Sequence, residues 1–139
     1  MAASADIDTP QRPGDSFSRP VAASTIIYAG TLVAINAAGN SVPAADSPGL
    51  KVDGVADEQK DNSSGDAGDL RVNVTRGVRC FANSAINPVT VAEINKQVYV
   101  ADNLTVNKEG GTNHIQAGLC LDVDDDGVWV DTRLAPTAI

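Results

Sequence analysis

Aromatic side chains are scarce in this chain of 139 residues: Phe17, Tyr28, Phe81, Tyr99 and Trp129 are all it has. A core so poor in rings buries limited area per residue, so further burial between subunits is expected. Histidine occurs once, as His114, which rules out a zinc triad of imidazoles, and the two cysteines, Cys80 and Cys120, lack C-x2-C spacing. No apolar run approaches the roughly 20 residues that cross a bilayer as a helix. The opening "MAASADIDTPQRPGDS" has neither a basic head nor an apolar stretch, so no signal peptide is expected. Folding in a cytoplasm follows as the default, with the cysteines as buried thiols and a disulfide as the alternative. Positive charge is also short: 10 Lys and Arg against 18 Asp and Glu leave a formal net charge of −8. Such a surface repels phosphate backbones and anionic membranes, so neither nucleic acid nor membrane is an expected partner.

What the chain does have is Val, Ala, Ile and Leu, together with 12 Gly and 7 Pro. Branched residues among many turn formers favour short strands and tight loops. "TLVAI" and "SVPA" read as a strand and its return across "NAAGN", and "LKVDGVAD" as a strand kinked or bulged at Gly54. "KDNSSGDAGD" (60–69) reads as a loop. "LRVNVT" alternates cleanly, with Leu70, Val72 and Val74 on one side and Arg71, Asn73 and Thr75 on the other. One short helix is expected at "TVAEIN", where Thr90 and Glu93 have capping-box spacing. "QVYVAD", "LTV", "IQAGLCLDV" and "VWVDT" complete the strands. The expected fold is all-β, a compact β-barrel or β-sandwich over residues 26–139. Residues 1–25, interrupted by Pro10, Pro13 and Pro20, read as an extended arm, either disordered or ordered across a neighbouring subunit.

"DVDDDG" (122–127) matches the opening of an EF-hand calcium loop, but position twelve of that loop falls on Arg133, where a bidentate Glu belongs. Both flanks are β-patterned as well. A hairpin turning at Asp126-Gly127 fits better. Val123 then pairs with Val130 across a two-residue loop, or with Val128 across a four-residue loop. Leu119, Leu121, Val123, Val128 and Val130 share one face, and Cys120, Asp122, Trp129 and Asp131 the other. Trp129 is then covered within its own chain or lies at a subunit or partner contact.

No catalytic set emerges. "GDAGDLR" lacks the Lys-Ser/Thr pair of a phosphate loop, and no G-x-S-x-G elbow is present. The sequons at Asn62, Asn73 and Asn103 read as chance in a chain without a secretion signal. The expectation is a non-enzyme with no cofactor and no metal. A glycan-binding β-sandwich is the alternative, with Tyr28, Tyr99 and Trp129 as its few stacking candidates, and a hydrolase with paired carboxylates has the least support.

The order of strands and turns carries a resemblance. "G-T-L-V-A-I" (30–35), "G-N-S-V-P-A" (39–44), "G-V-A" (54–56), the loop Asp61–Gly68 and "V-N-V-T-R-G" (72–77) are similar to the small head-decoration, or capsid cement, proteins of tailed bacteriophages. "TVAEINKQVYVADNLTV" and the closing "AGLCLDVDDDGVWVDT" extend the likeness over about residues 26–134. The resemblance implies a β-barrel-like domain, usually a homotrimer. It would sit on the virion exterior and bridge subunits of the major capsid protein. On this view the 25-residue arm reaches about 80 Å when extended. Ile7, Phe17 and Val21 anchor it, Arg12 and Arg19 pair with acidic capsid groups, and Trp129 joins the interface. A chain lacking residues 1–24 is expected to fold and to bind expanded heads weakly.

Overall fold

The computed structural model describes residues 2–12 and 14–135, and among them period-two patterning resolves into twelve strands and two single turns of 3₁₀ helix. The first six strands are β1 (Ser16–Pro20), β2 (Thr25–Ile27), β3 (Leu32–Ile35), β4 (Ser41–Pro43), β5 (Lys51–Ala56) and β6 (Lys60–Asn62). The rest are β7 (Arg71–Thr75), β8 (Val78–Asn83), β9 (Gln97–Val100), β10 (Thr105–Asn107), β11 (Gln116–Asp124) and β12 (Gly127–Asp131). The fold is all-β, as the patterning implies.

Strands β10, β8, β12, β11 and β9 close into a five-stranded barrel, antiparallel except between β10 and β8. A barrel of so few strands is narrow, because diameter grows with strand number. Val98, Val100, Val106, Ala117, Cys120, Val128 and Val130 pack in its core, with Phe81 as the one aromatic ring among the described residues there. The shortage of aromatics therefore matches the space: branched and small side chains fill what rings would overfill.

The second sheet runs β1-β7-β5-β3-β4. Leu32, Ala34, Val52 and Val55 join the barrel's core. Val33, Ala56, Val72 and Val74 instead build a separate core with Val21 and with Ile27 of the small β2–β6 pair. Just past β1, Val21 bridges in parallel to Ser41 of β4, and the Ala22 N–H donates to the Ser41 carbonyl at 3.0 Å. This bridge ties the two edges of the sheet together, so the sheet curls around its own core. Asn62 secures the β2–β6 pair: its buried amide donates to the Ala22 carbonyl at 3.0 Å and the Asp66 carbonyl at 2.9 Å.

Of three register shifts among the described residues, two bear on the candidate sites. The register of β5 against β3 shifts so that Asp53 is the extra residue beside Gly54, at the kink expected there. A Cβ on Gly54 would lie 2.7 Å from the Thr75 carbonyl oxygen, so only glycine lets β5 and β7 approach this closely. In β11 the register against β12 shifts between Cys120 and Asp122. Because strand faces alternate, one extra residue exchanges them.

Several expectations are corrected. The hairpin turns at Asp125-Asp126, not Asp126-Gly127; of the two pairings expected for Val123 the one with Val128 is found, and Asp124 lies opposite Gly127. The bulge puts Cys120 in the core with Val128 and Val130, while Leu121 faces outward. The Thr90–Glu93 capping box is present, yet it closes one 3₁₀ turn, Val91–Glu93, before Asn95 adopts a φ of 67° and β9 begins. The loop expected from residue 60 opens with β6. Most consequentially, the arm is shorter than expected. Ser16–Pro20 pair with β7 in register from Ser16 opposite Thr75 to Pro20 opposite Arg71. Pro20 is tolerated because β1 is an edge strand. Among the described residues before β1, 2–12, 14 and 15 lie outside regular structure.

Candidate functional site

Two surface features stand out: the root of the arm and the tip of the β11–β12 hairpin. At the root, Phe17 pairs with Val74 and Arg19 with Val72, so both side chains lie on the face that carries the second core. Arg19 donates through Nε to Asp53 Oδ2 at 2.9 Å and through Nη2 to Oδ1 at 3.1 Å. From the end of β7, Arg76 donates through Nη2 to Asp53 Oδ1 at 2.7 Å and through Nε to the Asp53 carbonyl at 2.8 Å. The bulge brings this carboxylate, 2% exposed, beneath both guanidiniums. A carboxylate so buried needs such partners.

Phe17 completes the cluster. Its ring lies 4.5 Å from the Arg19 guanidinium carbon, 4.7 Å from that of Arg76 and 5.8 Å from that of Arg12. Cations over a ring face are attracted by its quadrupole. On the opposite face of the sheet, Arg71 donates to Ser18 Oγ at 3.0 Å and to the Ser18 carbonyl at 2.8 Å. The Ser18 bond also occupies an edge acceptor of β1 that would otherwise invite strand pairing.

The expected site residues thus separate. Arg12, Phe17 and Arg19 come together at the arm's root. Ile7 is 78% exposed within the arm. Val21, expected to anchor the arm on a partner, is fully buried in this chain's own core and has no surface to offer. Arg19 is committed to Asp53 inside the chain. Sequence reasoning missed Asp53 and Arg76, which lie 34 and 57 positions from Arg19; the acid next to the bulge glycine was the available signal.

At the hairpin, partly exposed Trp129 lies opposite Asp122 on one side and Cys80 on the other, and its Nε1 donates to Asp124 Oδ2 at 2.9 Å. Burial, followed by the charges of Asp124 and Asp126, pushes the Cys80 thiol above its ordinary pKa. Cys120 is raised too, chiefly by burial. Both cysteines are free thiols. At the far end of β12, Asp131 is nine-tenths buried and bonds Arg133 Nε at 3.0 Å, and that side-chain bond is the largest cause holding its carboxyl below the ordinary value. Two residues along β12 from Trp129, it keeps to the same side of that strand, as expected, but is buried there.

His114 packs edge-on to Tyr99, with ring centroids 6.0 Å apart, in a loop where its φ is 53°. The same loop is held by Asp46, which accepts from the Thr112 and Asn113 N–H groups at 3.0 and 2.9 Å. Tyr99 and Trp129 lie on β9 and β12, separated by β11, and Tyr28 follows β2 in another sheet, so the three rings come from separate strands. Among the described residues, no group of three or more His, Cys, Asp or Glu is arranged to hold a metal ion, and no helix is long and apolar enough to cross a membrane. No family model, curated protein or solved structure matches this chain.

Proposed function

We propose that this protein is a capsid decoration protein, a non-enzymatic clamp on the outside of a phage head that bridges neighbouring major capsid protein subunits as a homotrimer. The observation that carries the reading is the arm: residues 2–12 and 14–15 are exposed, and the chain enters the sheet only at Ser16. A clamp needs a rigid body and a reaching element, and here a closed barrel and a curled sheet supply the body. The reaching element is about 45–50 Å long when extended, shorter than the sequence implied but long enough to cross a joint between capsomers. Exposed Ile7 offers the arm an apolar anchor. Ordering such a segment costs entropy, so affinity must come from several attachments made at once.

The β1 strand changes the decisive experiment. Removing residues 1–24 would delete a sheet strand and Val21 from a core, so the informative chain begins at Gly14. Co-sedimentation with expanded heads, assembled from the cognate major capsid protein, is expected to show tight binding by the full chain. The shortened chain should fold with unchanged circular dichroism and bind at least about tenfold more weakly. Failure of the full chain to bind such heads would remove the proposal.

A further inference from the structure

The arm root and the hairpin tip carry opposite charge. At the root, Arg12, Arg19 and Arg76 surround the Phe17 ring, and the carboxylate bonded to Arg19 and Arg76 is that of Asp53, a surplus of two positive charges within the cluster in a chain of net −8. Arg12 is exposed, and its contact among the described residues is the Phe17 ring, which leaves its five donors available to a partner. Arg19 and Arg76 engage Asp53 through Nε and Nη2, which leaves Nη1 on each. At the tip, Asp122, Asp124, Asp125 and Asp126 are all exposed, and no Lys or Arg occurs between Leu121 and Thr132. Their field is felt nearby, where Asp124 and Asp126 both act on the Cys80 thiol.

These two surfaces cannot meet within one molecule. Strand β12 leads away from the tip at Gly127, and at its other end the Thr132 N–H donates to the carbonyl of Gly77, the neighbour of Arg76. The five residues of β12 therefore hold tip and root roughly 15 Å apart along a barrel strand. Complementary patches held apart along a rigid strand suit contact between copies.

We propose that copies of this chain associate head to tail, with the Asp124–Asp126 tip of one seated on the Arg12, Arg19 and Arg76 guanidiniums around Phe17 of the next. Partly exposed Trp129 beside the tip enlarges the contact with a ring of the kind favoured at interfaces. Such a contact is heterologous, so it closes into a ring when the rotation between copies permits. It concerns the free protein and stands independently of attachment to a shell.

The test is sedimentation equilibrium of the full chain in low and high salt, with two exposed-site variants, Arg12→Glu and Asp125→Lys, and their combination. Among the described residues, neither side chain makes a hydrogen bond or ion pair on which the fold depends. The full chain is expected to assemble in low salt and to dissociate as salt rises to about 0.5 M. Each single reversal should weaken assembly by about tenfold or more, and the double variant should regain most of it because the charges are exchanged. A chain that stays monomeric in low salt overturns the proposal. So do an oligomer indifferent to both reversals and a double variant no better than the singles.

Discussion

Asp53 and Arg76 are joined twice: the arginine's Nη2 lies 2.7 Å from the carboxylate and its Nε 2.8 Å from the same residue's carbonyl. The pair locks β7 to the bulge of β5, and Arg19 adds β1 to the same carboxylate. Removing Asp53 strands two guanidiniums, whereas removing Arg19 leaves Arg76 in place. Asp53→Ala is therefore expected to cost about 3 kcal/mol and Arg19→Ala about 1 kcal/mol in urea denaturation, since both arginines are partly solvated. Equal costs would show that the carboxylate is not the hub.

Gly118 has a φ of 149°, and a Cβ there would run into the Asp131 carbonyl and the Val130 side chain. Both objections hold at once. Gly118→Ala should destabilise by about 2–3 kcal/mol. Gly14→Ala, with open space around it, serves as the control and should change little.

The bond from Trp129 to Asp124 supports an exposed hairpin and not the core. Trp129→Phe keeps a ring but loses the donor and should cost about 1 kcal/mol. Asp124→Asn retains an acceptor oxygen and should cost less. Millimolar calcium should leave the melting temperature unmoved, because Arg133 occupies the position that would complete a calcium loop.

Acid should act through particular carboxylates. Backbone N–H bonds from Thr112, then Asn113, hold the Asp46 carboxyl below its ordinary 3.8. The Arg133 bond does the same for Asp131. A carboxyl with a depressed folded pKa contributes stability that is complete above its unfolded value and is lost as pH falls through the folded one. Stability is thus expected to hold steady from neutral pH to about pH 5 and to decline below about pH 4. Asp46→Asn should make that acid limb shallower, as pH-dependent denaturation would read directly.

Cys80 should react slowly with thiol reagents at neutral pH, since burial and two neighbouring aspartates disfavour its thiolate. Neutralising both, as Asp124→Asn with Asp126→Asn, should quicken labelling of Cys80. Labelling of Cys120, buried in the core, should follow unfolding instead.

Much of the fold was legible because it is local. Val72 and Val74 alternate with polar neighbours and are fully buried, and Gly54 marks its bulge. Leu70, the third member of that stripe, lies just outside β7 and is 36% exposed. The bulge at Leu121 had no such marker: "GLCLDV" reads as unbroken alternation, and only the pairing with β12 reveals the extra residue. The arm root was half legible. Proline content marks an irregular stretch but does not tell where it ends. Ser16–Pro20 become a strand because β7, more than fifty residues later, needs an edge partner.

The five-pair ladder between β1 and β7, backed by the Val21–Ser41 bridge, governs how the molecule bears load. A pull on the arm directed along β1 away from Val21 strains those backbone bonds together, in shear, whereas a tether at a fraying end would let them unzip singly. Force would be shared across the whole strand and passed into two hydrophobic centres. On that geometry the tether resists sudden tension far better than an exposed segment joined at a single point would.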